Sequence, residues 1–173
     1  SIYQKDLKQI VIFNIVISLG VMVCGTATLN TFGVKGALLY AVNDILLKAA
    51  LFIVVGLIIY VSGVKYLQKC GLINKYSLLG WTYFIIVLSL AGVPPFSGFY
   101  GKALIIKGLV TNNNTFIAIL VALSGLVVFY SLIRIFLNVF YDNINKSLTL
   151  KPLPKGVQIP LIAIVAIALI IGV

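Results

Sequence analysis

The 173-residue chain is 62% apolar, only 9% charged, and has a formal net charge of +10. Soluble domains run near half apolar and about a quarter charged, so an ordinary soluble fold is excluded. The apolar residues come in long blocks, as membrane spans do. The basic excess sits mostly in short loops between the blocks, which excludes nucleic acid as the partner and points to topology in a lipid bilayer.

The first apolar block runs from about 10 to 29, behind Lys5 and Lys8. At ~1.5 Å per residue it crosses a hydrocarbon core of ~30 Å. A polar turn over 30–35 leads to a second block, 36–62, with Asn43, Asp44 and Lys48 in its middle. A basic loop follows, with Lys65, Lys69 and Lys75. The third block reads 79–93, is interrupted around Pro94, Pro95, Gly98 and Gly101, and resumes over 98–110 with Lys102 and Lys107. The fourth block, 116–141, contains Arg134. A loop with Lys146, Lys151 and Lys155 precedes the last, 157–173. The pattern predicts an all-α, polytopic transmembrane helical bundle in a single domain, 1–173, with about five spanning elements.

Charge placement decides whether the third block crosses once or twice. With one crossing, Lys5, Lys8, Lys65, Lys69, Lys75, Lys146, Lys151 and Lys155 share one side, and Lys35 is alone in the loops of the other. Two crossings would split the basic loops, against the positive-inside rule. Each piece beside the proline pair is also shorter than the ~20 residues a span needs. The third element is therefore expected to be a discontinuous helix. Proline removes an amide donor and glycine loosens the chain. Broken backbone at membrane depth survives only where protein buries it or a wet cavity receives it. A packing kink and an ion site both fit the break.

Lys48 lies near the centre of its helix, where a lysine costs ~3 kcal/mol on insertion scales. Asp44 is four residues earlier and shares its face. With Tyr40 and Asn43 they form a polar stripe of ~12 Å. Two roles fit: a structural ion pair joining helices, or a proton relay in which Asp44 tunes Lys48. Intramembrane ionisable residues favour the relay. Lys102 follows the break and has no acid close in sequence, so its partner must come from elsewhere. Lys107 is expected to snorkel to the interface, and Arg134, always charged, to set the local field. There is no histidine, no Cys-x-x-Cys and no nucleotide-binding glycine motif, so neither a metal nor a cofactor site is expected. Cys24 and Cys70 are expected to remain unpaired thiols at different depths. Ser1 in place of an initiating methionine and an apolar terminus at Val173 read as a piece of a larger protein.

The run Ala91-Gly-Val-Pro-Pro-Phe-Ser-Gly-Phe99 with Lys102 behind it resembles the proton-translocating antiporter-like subunits of respiratory complex I and of Mrp-type multisubunit Na⁺/H⁺ antiporters. Tyr40-Ala-Val-Asn-Asp-Ile-Leu-Leu-Lys-Ala-Ala-Leu-Phe52 resembles the same family's buried lysine followed by Ala-x-Leu-Phe. Gly71-Leu-Ile-Asn-Lys75, Leu78-Leu-Gly-Trp81, Tyr130-Ser-Leu-Ile-Arg-Ile-Phe136 and the acid at Asp44 resemble the D-type branch of the Mrp subunits. The resemblance covers essentially the whole chain. It implies two inverted helical repeats, of which this piece holds much of the second. It implies a secondary-transport role in a multisubunit complex of the bacterial cytoplasmic membrane, with protons and Na⁺ as the transported ions. Lys48 would be the connecting lysine of the half-channel, and Lys102 the lysine near its exit. A proton-translocating subunit of an NADH–quinone oxidoreductase and a non-transporting structural piece are the alternatives. Two departures stand out. Asn43 occupies a position where relatives of the D-type branch commonly have histidine, and the first repeat, with its buried glutamate and lysine, is not in this chain.

Overall fold

The computed structural model describes residues 6–63, 66, 71–94, 96–141, 152, 156, 161 and 163–167. Five long helices carry the fold: α1 (Leu7–Thr26), α2 (Thr31–Ser62), α3 (Ser77–Ala91), α4 (Ser97–Thr111) and α5 (Thr115–Phe136). A 3-10 turn at Leu72–Asn74 precedes α3, and a π turn at Leu137–Tyr141 extends α5. Of the last apolar block, residues 161 and 163–167 are described, and they are helical. The all-helical, polytopic reading holds. Among the described residues α1, α2 and the stretch Thr115–Tyr141 are each long and apolar enough to cross a membrane.

Local chemistry sets the boundaries. Asp6 caps α1 by accepting from the Lys8 amide at 2.9 Å, which starts the helix ahead of its apolar block. Asn30 caps α2, accepting from the Gly33 amide at 2.7 Å. The second helix therefore begins at Thr31, inside the stretch expected as a turn. It ends where Gly63 turns left-handed, at φ 70°. Its 32 residues measure ~48 Å, longer than the hydrocarbon core, so it tilts or projects beyond it.

α3 and α4 form the discontinuous third element. Asn30, at the start of α2, donates to Gly108 O at 2.7 Å near the end of α4. Asn43, at mid-α2, accepts from Ser97 at the start of α4, at 3.0 Å. α4 therefore runs antiparallel to the first half of α2, and the break lies at mid-helix depth. The turn itself is narrower than 94–101. Gly92, at φ 79°, closes α3 by taking up the left-handed cap, and α4 begins at Ser97. Gly98 and Gly101 thus lie inside α4 and not in the break; they are small for packing reasons. Pro94 is in the turn, and Pro95 lies outside the described residues.

The α2–α4 seam is built on glycine. A Cβ on Gly101 would sit 2.8 Å from Tyr40 Cβ, one on Gly36 2.7 Å from Ile105 N, and one on Gly108 2.6 Å from Gly33 N. Small residues let membrane helices approach closely where no hydrophobic force drives them together. Two apolar clusters flank the seam. The larger joins α1, α2, α3 and α5 through Ile10, Leu47, Leu51, Tyr83, Ile86 and Leu132. The smaller joins Val21, Ala37, Ile105, Leu109 and Val121. At the outer turn Asn112 donates to Thr28 O at 2.6 Å, so α1, α2 and α4 are tied at one end. Asn30→Ala removes both the α2 cap and the tie to α4. It is expected to lower stability by ~1–2 kcal/mol, read as a fall in the melting temperature of the detergent-solubilised protein.

Candidate functional site

The polar stripe predicted on α2 divides between two neighbours. Asp44 and Lys48 form an ion pair, Oδ2 to Nζ 2.6 Å, one helical turn apart. The second carboxylate oxygen faces α1, where Ser18 Oγ donates to Oδ1 at 3.0 Å. Tyr40 donates to Ser18 Oγ at 3.4 Å. Asn43 points the other way. It accepts from Ser97 Oγ, which is 2.9 Å from Ser89 Oγ on α3. Adjacent residues on α2 thus hold α1 on one side and the α3–α4 break on the other.

Lys102 is partnered by backbone and not by an acid. Its Nζ donates to Leu90 O at 3.1 Å and to Ala91 O at 2.9 Å. The break makes these acceptors available, because the last carbonyls of a helix have no amide above them. The negative end of the α3 dipole also favours a cation there. Tyr40 covers the ammonium from α2, with its ring centroid 5.6 Å away. Gly92 and Gly125 complete the seat: a Cβ on either would stand 3.4 Å from Nζ. Lys48 and Lys102 are 8% and 6% exposed, so both ammonium groups are held inside the bundle and do not snorkel.

The site sets Lys102 against the Tyr40 ring and Asp44, with Lys48, behind the Tyr40 hydroxyl by way of Ser18, and it adds residues that the sequence pattern alone does not single out. Ser18 and Asn14 lie one turn apart on α1. Ser131 of α5 donates to Asn14 Oδ1 at 3.2 Å. All three are 3% exposed or less. The available signal is two polar residues at i and i+4 in an otherwise apolar helix, the spacing that puts them on one face. Lys107 is exposed, 4.1 Å from the Phe32 ring centroid. Arg134 is half-buried in the last turn of α5.

Chemically, a carboxylate and an ammonium at 2.6 Å can exchange a proton along one hydrogen bond. A lysine held by neutral carbonyls has no proton acceptor within those hydrogen bonds. The two lysines thus sit in different hydrogen-bonding settings, Lys48 on a carboxylate and Lys102 on carbonyls beneath the Tyr40 ring.

Residues 1–128 match the family described as NADH:quinone oxidoreductase/Mrp antiporter, transmembrane. The chain belongs to this family. The D-type subunit of the Na(+)/H(+) antiporter of Bacillus subtilis is 38% identical over 176 aligned positions, covering 99% of this chain and 35% of the relative. This bears out the resemblance to the D-type branch. The chain spans about a third of the length of the curated relatives it matches. Among solved structures, the Mrp complex of a Dietzia species superposes with a TM-score of 0.91 at 20% identity, over 99% of this chain and 40% of that one. Respiratory complex I from Thermus thermophilus gives 0.87 at 20% identity, over 99% and 36%. At that identity the likeness is one of fold. A family of antiporter-type membrane subunits and several apolar spans make this a bacterial multi-pass membrane protein.

Proposed function

We propose that the chain is part of the second helical repeat of a membrane subunit in a monovalent cation/proton antiporter complex, with Na⁺ as the cation. It acts as a secondary transporter and not as an enzyme, alongside other subunits of the complex in the cytoplasmic membrane. Protons pass by way of Lys48, Asp44 and Lys102. The observation that carries this reading is the seating of Lys102 on the carbonyls of Leu90 and Ala91 across the helix break, beneath the Tyr40 ring whose hydroxyl leads through Ser18 to the buried Asp44–Lys48 pair. Charged groups at bilayer depth are costly and are kept mainly for transport, and half-helix ends at mid-membrane are where transporters place ions. The 38% identity to a component of a Na(+)/H(+) antiporter supports antiport over redox-driven pumping.

The test uses everted vesicles containing the assembled complex. A pH gradient is imposed, and its collapse on adding Na⁺ is followed with a fluorescent amine. Wild type is expected to lose the gradient; Lys102→Ala is expected to assemble and retain it. Should Na⁺ leave the wild-type gradient intact while NADH builds one, the redox-pump reading replaces this one. A complex whose Na⁺ response survives loss of both Lys48 and Lys102 would make this segment structural.

A further inference from the structure

Tyr40 meets one lysine site directly and reaches the other through Ser18. Its hydroxyl donates to Ser18 Oγ, which in turn donates to Asp44 Oδ1. Its ring faces the Lys102 ammonium at 5.6 Å, within the range of cation–π attraction. Ser18 has a single hydrogen and two candidate acceptors, Asp44 Oδ1 at 3.0 Å and Asn14 O at 3.1 Å. A hydroxyl donates one hydrogen fully to one acceptor, and a charged acceptor makes the stronger bond. The donation from Tyr40 occupies the acceptor side of Ser18 and leaves its hydrogen for the carboxylate. Asp44 is then divided cleanly, with Oδ2 on Lys48 and Oδ1 on Ser18.

Tyr40 is also pinned mechanically. The backbone of Gly101 lies against it, since a Cβ there would stand 2.8 Å from Tyr40 Cβ and 2.9 Å from its Cα. Gly101 immediately precedes Lys102. The helix that carries Lys102 therefore bears on Tyr40 twice, through its backbone and through the ammonium. Tyr40 and Ser18 are each 3% exposed, so water does not screen the contacts.

We propose that Tyr40 and Ser18 form a hydroxyl bridge coupling Lys102 to the Asp44–Lys48 pair. Ser18 is the positioning residue of the carboxylate, and Tyr40 transmits displacement of the Lys102 ammonium to it. The proposal rests on the transport reading for its purpose, and on the contacts alone for its existence. Such coupling is reciprocal: whatever moves the carboxylate also biases the seat of Lys102.

Two measurements on the assembled complex test it. The first is the infrared carboxylate stretch of Asp44, identified as the band lost in Asp44→Asn. It is expected to shift in Ser18→Ala and in Tyr40→Phe, which keeps the ring and loses only the hydroxyl, and to stay in place in Ser18→Thr. Lys102→Met is expected to shift the band in wild type and to shift it less in the Tyr40→Phe background. A band that ignores Tyr40→Phe, or a Lys102→Met shift of equal size in both backgrounds, overturns the bridge. The second is Na⁺-driven exchange. Ser18→Ala is expected to slow it about tenfold, the loss of one hydrogen bond to a charged group, and adding Tyr40→Phe is expected to slow it no further. Losses that multiply mean two independent packing defects. If wild type shows no Na⁺-driven exchange, the transport reading falls, and the infrared result still decides the bridge.

Discussion

Asp44→Asn is expected to destabilise the protein by ~3 kcal/mol, while the double variant Asp44→Asn/Lys48→Met recovers most of the loss. Removing one member of a buried ion pair leaves the other charge uncompensated, and that penalty is the larger part of what single substitutions measure. Replacing both members removes the penalty along with the attraction. Among the described residues Asp44 is the one acid within a helix and the one ion-pair partner of Lys48. Asp44 does retain a donor when Lys48 is lost, since Ser18 holds Oδ1 at 3.0 Å. Lys48→Met alone is therefore expected to cost less than Asp44→Asn alone. Melting of the solubilised protein, followed by Trp81 fluorescence, gives the three values. If the double variant is as unstable as the sum of the singles, the two residues do not act as a pair.

Parts of this arrangement are legible in the sequence for clear physical reasons. Long apolar blocks admit few folds, and a lone Asp–Lys pair at i, i+4 within such a block faces itself. The interruption at 94–95 marks a break because proline cannot continue a helix. Other features depend on which helices meet, and no local pattern contains that. Lys102 has no acid nearby in the chain, which suggests a distant partner. Its partners prove to be carbonyls only twelve and eleven residues back, freed by the same break. Gly92 makes the turn, yet nothing in the sequence sets it apart beside two prolines. Gly98 and Gly101 draw the role that belongs to it, because a glycine needed for close packing looks the same in sequence as one needed for a positive φ.

Gly98→Ala is expected to be among the most damaging small substitutions in the chain. The new Cβ would collide with the backbone carbonyl of Ser89, and Gly92 Cα lies 3.6 Å away. Neither can swing aside as a side chain does. α4 must therefore back away from the end of α3, and three contacts across the break move with it. These are Ser89 to Ser97 at 2.9 Å, Ser97 to Asn43 at 3.0 Å, and the seat of Lys102 on Leu90 and Ala91. Overpacking of this kind costs ~1–3 kcal/mol. The larger effect is expected on transport, because a donor displaced by ~1 Å no longer makes its hydrogen bonds. Gly56→Ala is the control. Gly56 lies in the interior of α2 with nothing within 4 Å of its Cβ position. Alanine there removes the conformational cost of a helical glycine and is expected to raise stability by ~0.5–1 kcal/mol. Melting temperature and Na⁺-driven exchange, measured on both variants in the same vesicles, separate the two cases. Gly56→Ala should melt higher and transport normally. Gly98→Ala should melt lower and lose exchange out of proportion to its loss of stability, because the collision falls on the turn that seats Lys102.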